Sequence, residues 1–178
     1  MISHDPGGKV RLKLDPSVKS SAVFSSCFKY RRVLTRTWDT SLPTVLFIGM
    51  NPSTADTSVD DPTVRKECGY ARDWGFGGLV KVNVMDYRAT YPKDLLKPGV
   101  TAQTHENLAS ISSLCTESPL VIAAWGKIGP KLQSCEESVR LILLNKKIQP
   151  KCLGVNIDGS PKHPLYLRKD TQPQDFIL

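Results

Sequence analysis

Four short apolar runs, Thr44 to Ile48, Leu79 to Val84, Leu120 to Ala124 and Cys152 to Val155, recur along the chain, each leading into a polar stretch. They are too short for helices and, Lys81 and Asn83 in the second apart, show no polar alternation, so each predicts a buried strand. Segments with helical spacing separate them. Asp61-Pro62 opens one, with Asp as N-cap and Pro in the first turn; it runs to about Trp74 and is stopped by Gly75, Gly77 and Gly78. Residues 101–117 place Leu108, Ile111 and Leu114 on one face, and Pro130 to Lys146 does the same with Leu132, Val139, Leu143 and Leu144. Upstream, Ala22 to Thr37 is β-branched and aromatic with Arg31-Arg32 in its middle, which predicts one or two strands of an edge hairpin. Tyr87 to Val100 reads as a loop with a short helix near Lys93 to Leu96, Asp158-Gly159 as a turn, and His163 to Leu167 as a final extended segment.

Strands alternating with helices require crossovers, and doubly buried strands require cover on both sides. The expected fold is therefore a three-layer α/β/α sandwich around a central, mostly parallel sheet. Residues 1–20 are expected to form a flexible basic arm and residues 21–178 a single domain. In such sheets ligands sit at the carboxyl ends of the strands. The loops Gly49 to Ser53, Asn83 to Arg88, Trp125-Gly126 and His163-Pro164 should converge there.

With 178 residues, 40 % of them hydrophobic and 23 % charged, the chain suits one globular domain. No apolar run approaches the ~20 residues of a membrane span. Met1 to Lys9 is polar and lacks the apolar middle of a secretion signal, so a cytoplasmic protein without membrane association is expected. The five cysteines stand singly with no CxxC pair, which argues against a disulfide framework and a zinc site; no metal or cofactor is expected. The net charge of +7 is uneven, with eight basic against three acidic side chains in residues 1–40. That suits either a polyanion such as nucleic acid or a merely solvated face.

Candidate chemistry lies in the strand-end loops. In Gly49-Met50-Asn51-Pro52-Ser53, glycine permits close backbone approach, Pro52 fixes a turn and Asn51 offers a primary amide. The GxxxxGK[ST] spacing of a phosphate loop is absent. Asn83 interrupts a buried strand, where an amide must be either a satisfied core group or a ligand reader. His163, held by Pro164, can donate an N–H towards developing negative charge, or can be structural.

Taken in order, Gly49-x-Asn51-Pro52, Asn83-Val84-x-x-x-Arg88, Ala124-Trp125-Gly126 and His163-Pro164 resemble the motifs of the uracil-DNA glycosylase superfamily over roughly residues 44–167. Asn51 is similar to the mismatch-specific uracil/thymine branch, and Asn83 to Arg88 to the bacterial thermostable branch. More closely, Gly49 to Asp56, Asp61-Pro62-Thr63, Asn83, Tyr87 to Thr90, Ala124 to Gly126 and His163 to Tyr166 identify the chain as a member of a bacterial and phage family labelled a domain of unknown function, family 1643. The first motif carries Asn51 rather than Asp, Leu165 and Tyr166 replace the small Ser frequent in the second, and no cysteine pattern for an iron–sulfur cluster exists.

The resemblance implies a uracil-DNA glycosylase-like fold and cleavage of the N-glycosidic bond of a modified or mismatched base. Such a reaction passes through an oxocarbenium-like sugar and an anionic base taken out of its stack. Asn51 would orient water, His163 would donate to the departing base and Asn83 would read its edge. Gly49, Met50, Pro52, Ser53, Arg88, Trp125, Leu165 and Tyr166 complete the expected substrate contacts. Leu165 and Tyr166 are candidate duplex wedges or core residues, and Tyr70, Phe76, Tyr87 or Tyr91 a stacking surface. The expected partner is nucleic acid, DNA first, or a nucleotide, bound by a monomer. Two rivals stand beside this reading: a non-catalytic base-binding protein, and a metal-dependent nucleotide phosphohydrolase using Asp56, Asp60 and Asp61.

Overall fold

The computed structural model describes residues 6, 7 and 10–178. Nine strands and three α-helices follow among the described residues: β1 (Leu12–Lys13), β2 (Lys19–Phe24), β3 (Arg31–Thr37), β4 (Thr44–Gly49), β5 (Val59–Asp60), α1 (Pro62–Asp73), β6 (Gly78–Asn83), α2 (His105–Glu117), β7 (Val121–Ala123), α3 (Gln133–Asn145), β8 (Lys151–Cys152) and β9 (Gln174–Asp175). Seven strands form one sheet in the order β2-β3-β6-β4-β7-β8-β9, and β1 pairs with β5 separately.

The sheet is mixed rather than mostly parallel. β6, β4, β7 and β8 run parallel, while β2, β3 and β9 join antiparallel. Local connection explains the difference on the β2 side: β2 and β3 are joined by a tight turn with Phe28 at φ 58, which forces an antiparallel pair. Alternation along each strand then builds two cores. Val45 and Phe47 of β4 and Leu79 of β6 meet Val64, Cys68 and Ala71 of α1 on one face. Leu46, Ile48, Val82 and Ala123 meet Ile111 and Cys115 of α2 and Val139 and Leu143 of α3 on the other. Helices thus cover both faces, as doubly buried strands require.

Two expectations shift. The fourth strand is Lys151–Cys152 only, because the chain turns at Gly154 with φ +125. His163 to Leu167 is not extended: Pro164 starts a 3₁₀ turn over Pro164–Tyr166, with His163 as its cap. Within the segment expected as a basic arm, Leu12 pairs with Asp60 and Lys19 with Thr37; residues 1–5, 8 and 9 of it lie outside the described residues. Among the described residues, no helix is long and apolar enough to cross a membrane.

Candidate functional site

At the carboxyl ends of β4 and β6, on the α1 face of the sheet, lies a cavity of about 190 Å³. Gly49, Met50, Asn51, Ser53, Asn83 and His163 line it, together with Arg31, Asp61, Thr63, Lys81, Ala89, Thr90 and Pro92. An apolar cavity of ~150 Å³ holds benzene, so this one admits a small flat ring. The structure therefore gathers both amides and the imidazole, 112 residues apart from first to last, into one space.

Register sets the floor. Gly49 and Asn83 are directly paired at the ends of parallel β4 and β6. A Cβ on Gly49 would stand 2.8 Å from Asn83 Oδ1 and 2.9 Å from Lys81 Nζ, so glycine is what lets these two side chains pass. Lys81 and Asn83, two residues apart on β6, point to the same face. Lys81 Nζ donates to both oxygens of Glu67 on α1, at 2.6 and 2.7 Å, with the two side chains 5 % and 0 % exposed. Burial pushes the Glu67 carboxyl up, and Lys81 opposes that rise. Asn83 differs from its neighbour. Its Oδ1 and Nδ2 are both buried and have no hydrogen-bond partner among the described residues, a condition proteins normally avoid.

Asn51 is anchored by one end of its amide. Nδ2 donates to the Ala89 carbonyl at 2.7 Å and to the Pro52 carbonyl at 3.1 Å, which leaves Oδ1 as the acceptor beside the cavity. His163 is oriented by its own 3₁₀ turn: Nδ1 accepts the Leu165 N–H at 3.4 Å, which puts the ring proton on Nε2. Gly126, at φ +71, lies under His163, since a Cβ there would be 3.4 Å from the His163 Cβ. The contribution of the Trp125-Gly126 pair to the site is thus the glycine.

The side chains that sequence reasoning missed are charged. Arg31 is 1 % exposed; its Nη1 donates to the Ala55 carbonyl at 2.7 Å, while Nε and Nη2 have no partner among the described residues. Burial lowers its pKa to about 10, with the nearby Asp61 carboxylate opposing. Asp61 caps α1 by accepting the Val64 N–H on Oδ1 at 2.9 Å, and among the described residues it is the one carboxylate lining the cavity. Thr90 at the rim donates to the carbonyls of Gly7 and Pro6, the latter at 3.2 Å, so the N-terminal segment reaches the cavity. A signal for the ion pair existed: Lys81 is a charge inside a buried strand, and Glu67 falls between Val64 and Cys68 on the apolar face of α1. No comparable pattern marks Arg31, which sits in a polar stretch of a hairpin.

Five expected contacts do not line the cavity. Trp125 is fully buried in the α2–α3 core, edge-on to Phe176 at 5.7 Å, with its Nε1 donating to Glu136 at 3.1 Å. Its indole is a packing group. Arg88 lies over Phe24 at 5.1 Å and donates to the Phe28 carbonyl at 3.3 Å, fastening the β2–β3 turn. Pro52 is buried and acts through its carbonyl, which also accepts the Ala89 N–H at 2.9 Å. Leu165 faces a separate apolar groove with Tyr70 and Leu12, and Tyr166 projects into solvent at 89 % exposure. Tyr70, Phe76, Tyr87 and Tyr91 are likewise outside the lining. Nor do the acids converge: Asp56 closes a turn by accepting from Ser58 and Val59, Asp60 pairs with Arg36 at 2.8 Å and Arg65 at 3.2 Å, and Asp61 caps α1.

No curated protein and no solved structure matches the chain. One family model does, over residues 31–165, which spans β3 to the His163 turn and so the whole cavity wall. The chain belongs to the family described as "Protein of unknown function (DUF1643)".

Proposed function

We propose that the cavity receives a nucleobase and that the protein hydrolyses the N-glycosidic bond of a modified or mismatched base in DNA, with the site plan of the uracil-DNA glycosylase superfamily. The observation that carries this reading is Asn83, whose buried amide offers one donor and one acceptor, both unpartnered, to a cavity the size of a small ring. A primary amide matches a base edge through two hydrogen bonds at once. Met50, Ala89 and Pro92 supply apolar lining for such a ring.

The remaining lining residues fit the demands of the bond cleavage. Asn51, held by Ala89 and Pro52, turns an acceptor oxygen to a water. An amide orients that water without deprotonating it. Asp61, with Oδ1 occupied by the helix cap, has Oδ2 left to take the water's proton. His163 donates from Nε2 to the oxygen of the departing base, an effect worth ~3–4 kcal/mol for one preorganised donor. Negative charge leaves on the base, the water oxygen bonds the sugar carbon, and an abasic site results. Tyr166, exposed beside His163, suits the wedge that holds an opened duplex, and the basic segment at the rim suits the phosphate backbone.

The test is incubation with oligonucleotides bearing a panel of altered pyrimidines and purines, followed by alkali to cut abasic sites. Cleavage at one class of base is expected without added metal, and Asn51→Ala and His163→Ala should abolish it. Wild-type rates in either variant, or intact DNA with every base in the panel, would overturn the assignment.

A further inference from the structure

Arg31 carries information about the ligand that the amides do not. Its Nε–H and Nη2–H lie on one edge of a planar guanidinium and point the same way. The same edge is in use elsewhere in this protein: on Arg168 it holds both oxygens of Asp170, at 3.0 and 2.9 Å. On Arg31 that edge is buried, belongs to a residue lining the cavity and meets no acceptor among the described residues. The far side of the group is fixed by the Ala55 carbonyl at 2.7 Å, so the fork cannot swing away to find solvent. The nearest opposite charge, Asp61, is committed through Oδ1 to the α1 cap and forms no ion pair with Arg31. A buried cation with two unsatisfied parallel donors is costly to keep. A ligand with two adjacent acceptors removes that cost.

We propose that the cavity selects bases presenting two adjacent acceptors on one edge, which dock side-on against Nε and Nη2 of Arg31 while Asn83 reads a second edge. This rests on the base-binding reading of the site. Two kinds of base carry the feature: an oxo-purine, through N7 and O6, and a pyrimidine bearing a carboxylate. Bidentate arginine is the commonest reader of N7 and O6, and the fork fits a carboxylate equally well. An exocyclic amine in either position is rejected, because it brings a donor against a donor.

Calorimetric titration of the full chain with soluble 2′-deoxynucleosides tests this. Deoxyguanosine is compared with its 7-deaza analogue, which lacks only the N7 acceptor, and with deoxyadenosine; 5-carboxy-deoxyuridine is compared with deoxyuridine. In one of the two series the compound with paired acceptors should bind about tenfold or more tightly than its partner, the usual worth of a bidentate contact. The series that discriminates identifies the source of the acceptors. Arg31→Lys, which keeps the charge and loses the fork, should bring the affinities of the two paired compounds to within about twofold of each other. Binding in both series without preference, or preference unchanged in a folded Arg31→Lys, overturns the inference and leaves the base reading standing. No binding by any nucleoside overturns the base reading and takes this inference with it. Because the paired compounds probe the wild-type protein, the result stands even if Arg31→Lys does not fold.

Discussion

Replacing Glu67 by Gln leaves the Lys81 ammonium in a site where it is 5 % exposed, facing an amide instead of a carboxylate that bound it through both oxygens. Removing one member of a buried pair costs ~3–5 kcal/mol, because the surviving charge stays desolvated. For a chain of this size, at ~2–4 °C per kcal/mol, Tm should fall by about 6–20 °C. Replacing both partners at once, Lys81→Met with Glu67→Leu, removes the charges together and should recover most of the loss, since a hydrophobic pair of similar volume is often neutral or better. Urea unfolding of the wild type, Lys81→Met, Glu67→Leu and the double variant at pH 7 gives the coupling, with Glu67→Gln measured beside them. A coupling of ~2 kcal/mol or more is expected. A loss below ~1 kcal/mol for Glu67→Gln, or single effects that simply add, would refute the reasoning that this pair holds the cavity floor. The double variant also separates support from chemistry: if Lys81 acts only by filling the floor, nucleoside binding should survive in it.

Other perturbations have equally definite outcomes. Gly49→Ala puts a methyl 2.8 Å from Asn83 Oδ1 and 2.9 Å from Lys81 Nζ, so both buried side chains must shift; overpacking of this kind costs ~1–3 kcal/mol, and base binding should be lost with it, as urea unfolding and calorimetry will show. Trp125→Ala should destabilise by ~3–5 kcal/mol as a core truncation, while the surviving folded fraction, followed by circular dichroism, keeps normal nucleoside affinity. Tyr166→Ala should change stability by no more than ~0.5 kcal/mol, as expected for an exposed side chain, yet weaken binding to a duplex more than binding to a single strand in an electrophoretic mobility assay.

What the sequence reveals and what it withholds divide along the range of the interactions. β4 and β7 were legible as apolar runs, β6 as an apolar run interrupted by Lys81 and Asn83, and α1 from its Asp61 cap and Pro62 start, because burial and capping are local. The meeting of Asn51, Asn83 and His163 in one cavity followed from placing strand-end loops on the same rim of a sheet. The sense of the outer strands was not legible, since β9 is only two residues long and its pairing is set by the return of the chain past Pro150. Trp125 read as a site residue because it ends a strand beside Gly126; its indole turns instead to Glu136 and Phe176, a choice made by α3 and the C-terminal segment. Arg31 stands in the sequence only as half of a basic pair in the middle of the hairpin segment. Only the packing of β3 beside β6, with the 49–61 loop over it, buries one arginine at 1 % exposure and leaves Arg32 partly in solvent.

The central claim is that Asn83 meets a base edge inside this cavity, and the side-chain amide protons of Asn83 report on it directly. In ¹⁵N-labelled protein their NMR resonances should shift on addition of a bound nucleoside, and their exchange with solvent should slow, because each new hydrogen bond replaces none in the free protein. Asn107, whose Nδ2 already donates to the Asn83 carbonyl at 2.9 Å, should stay unchanged as the internal control. A nucleoside that binds while the Asn83 amide signals neither move nor gain protection would contradict the account.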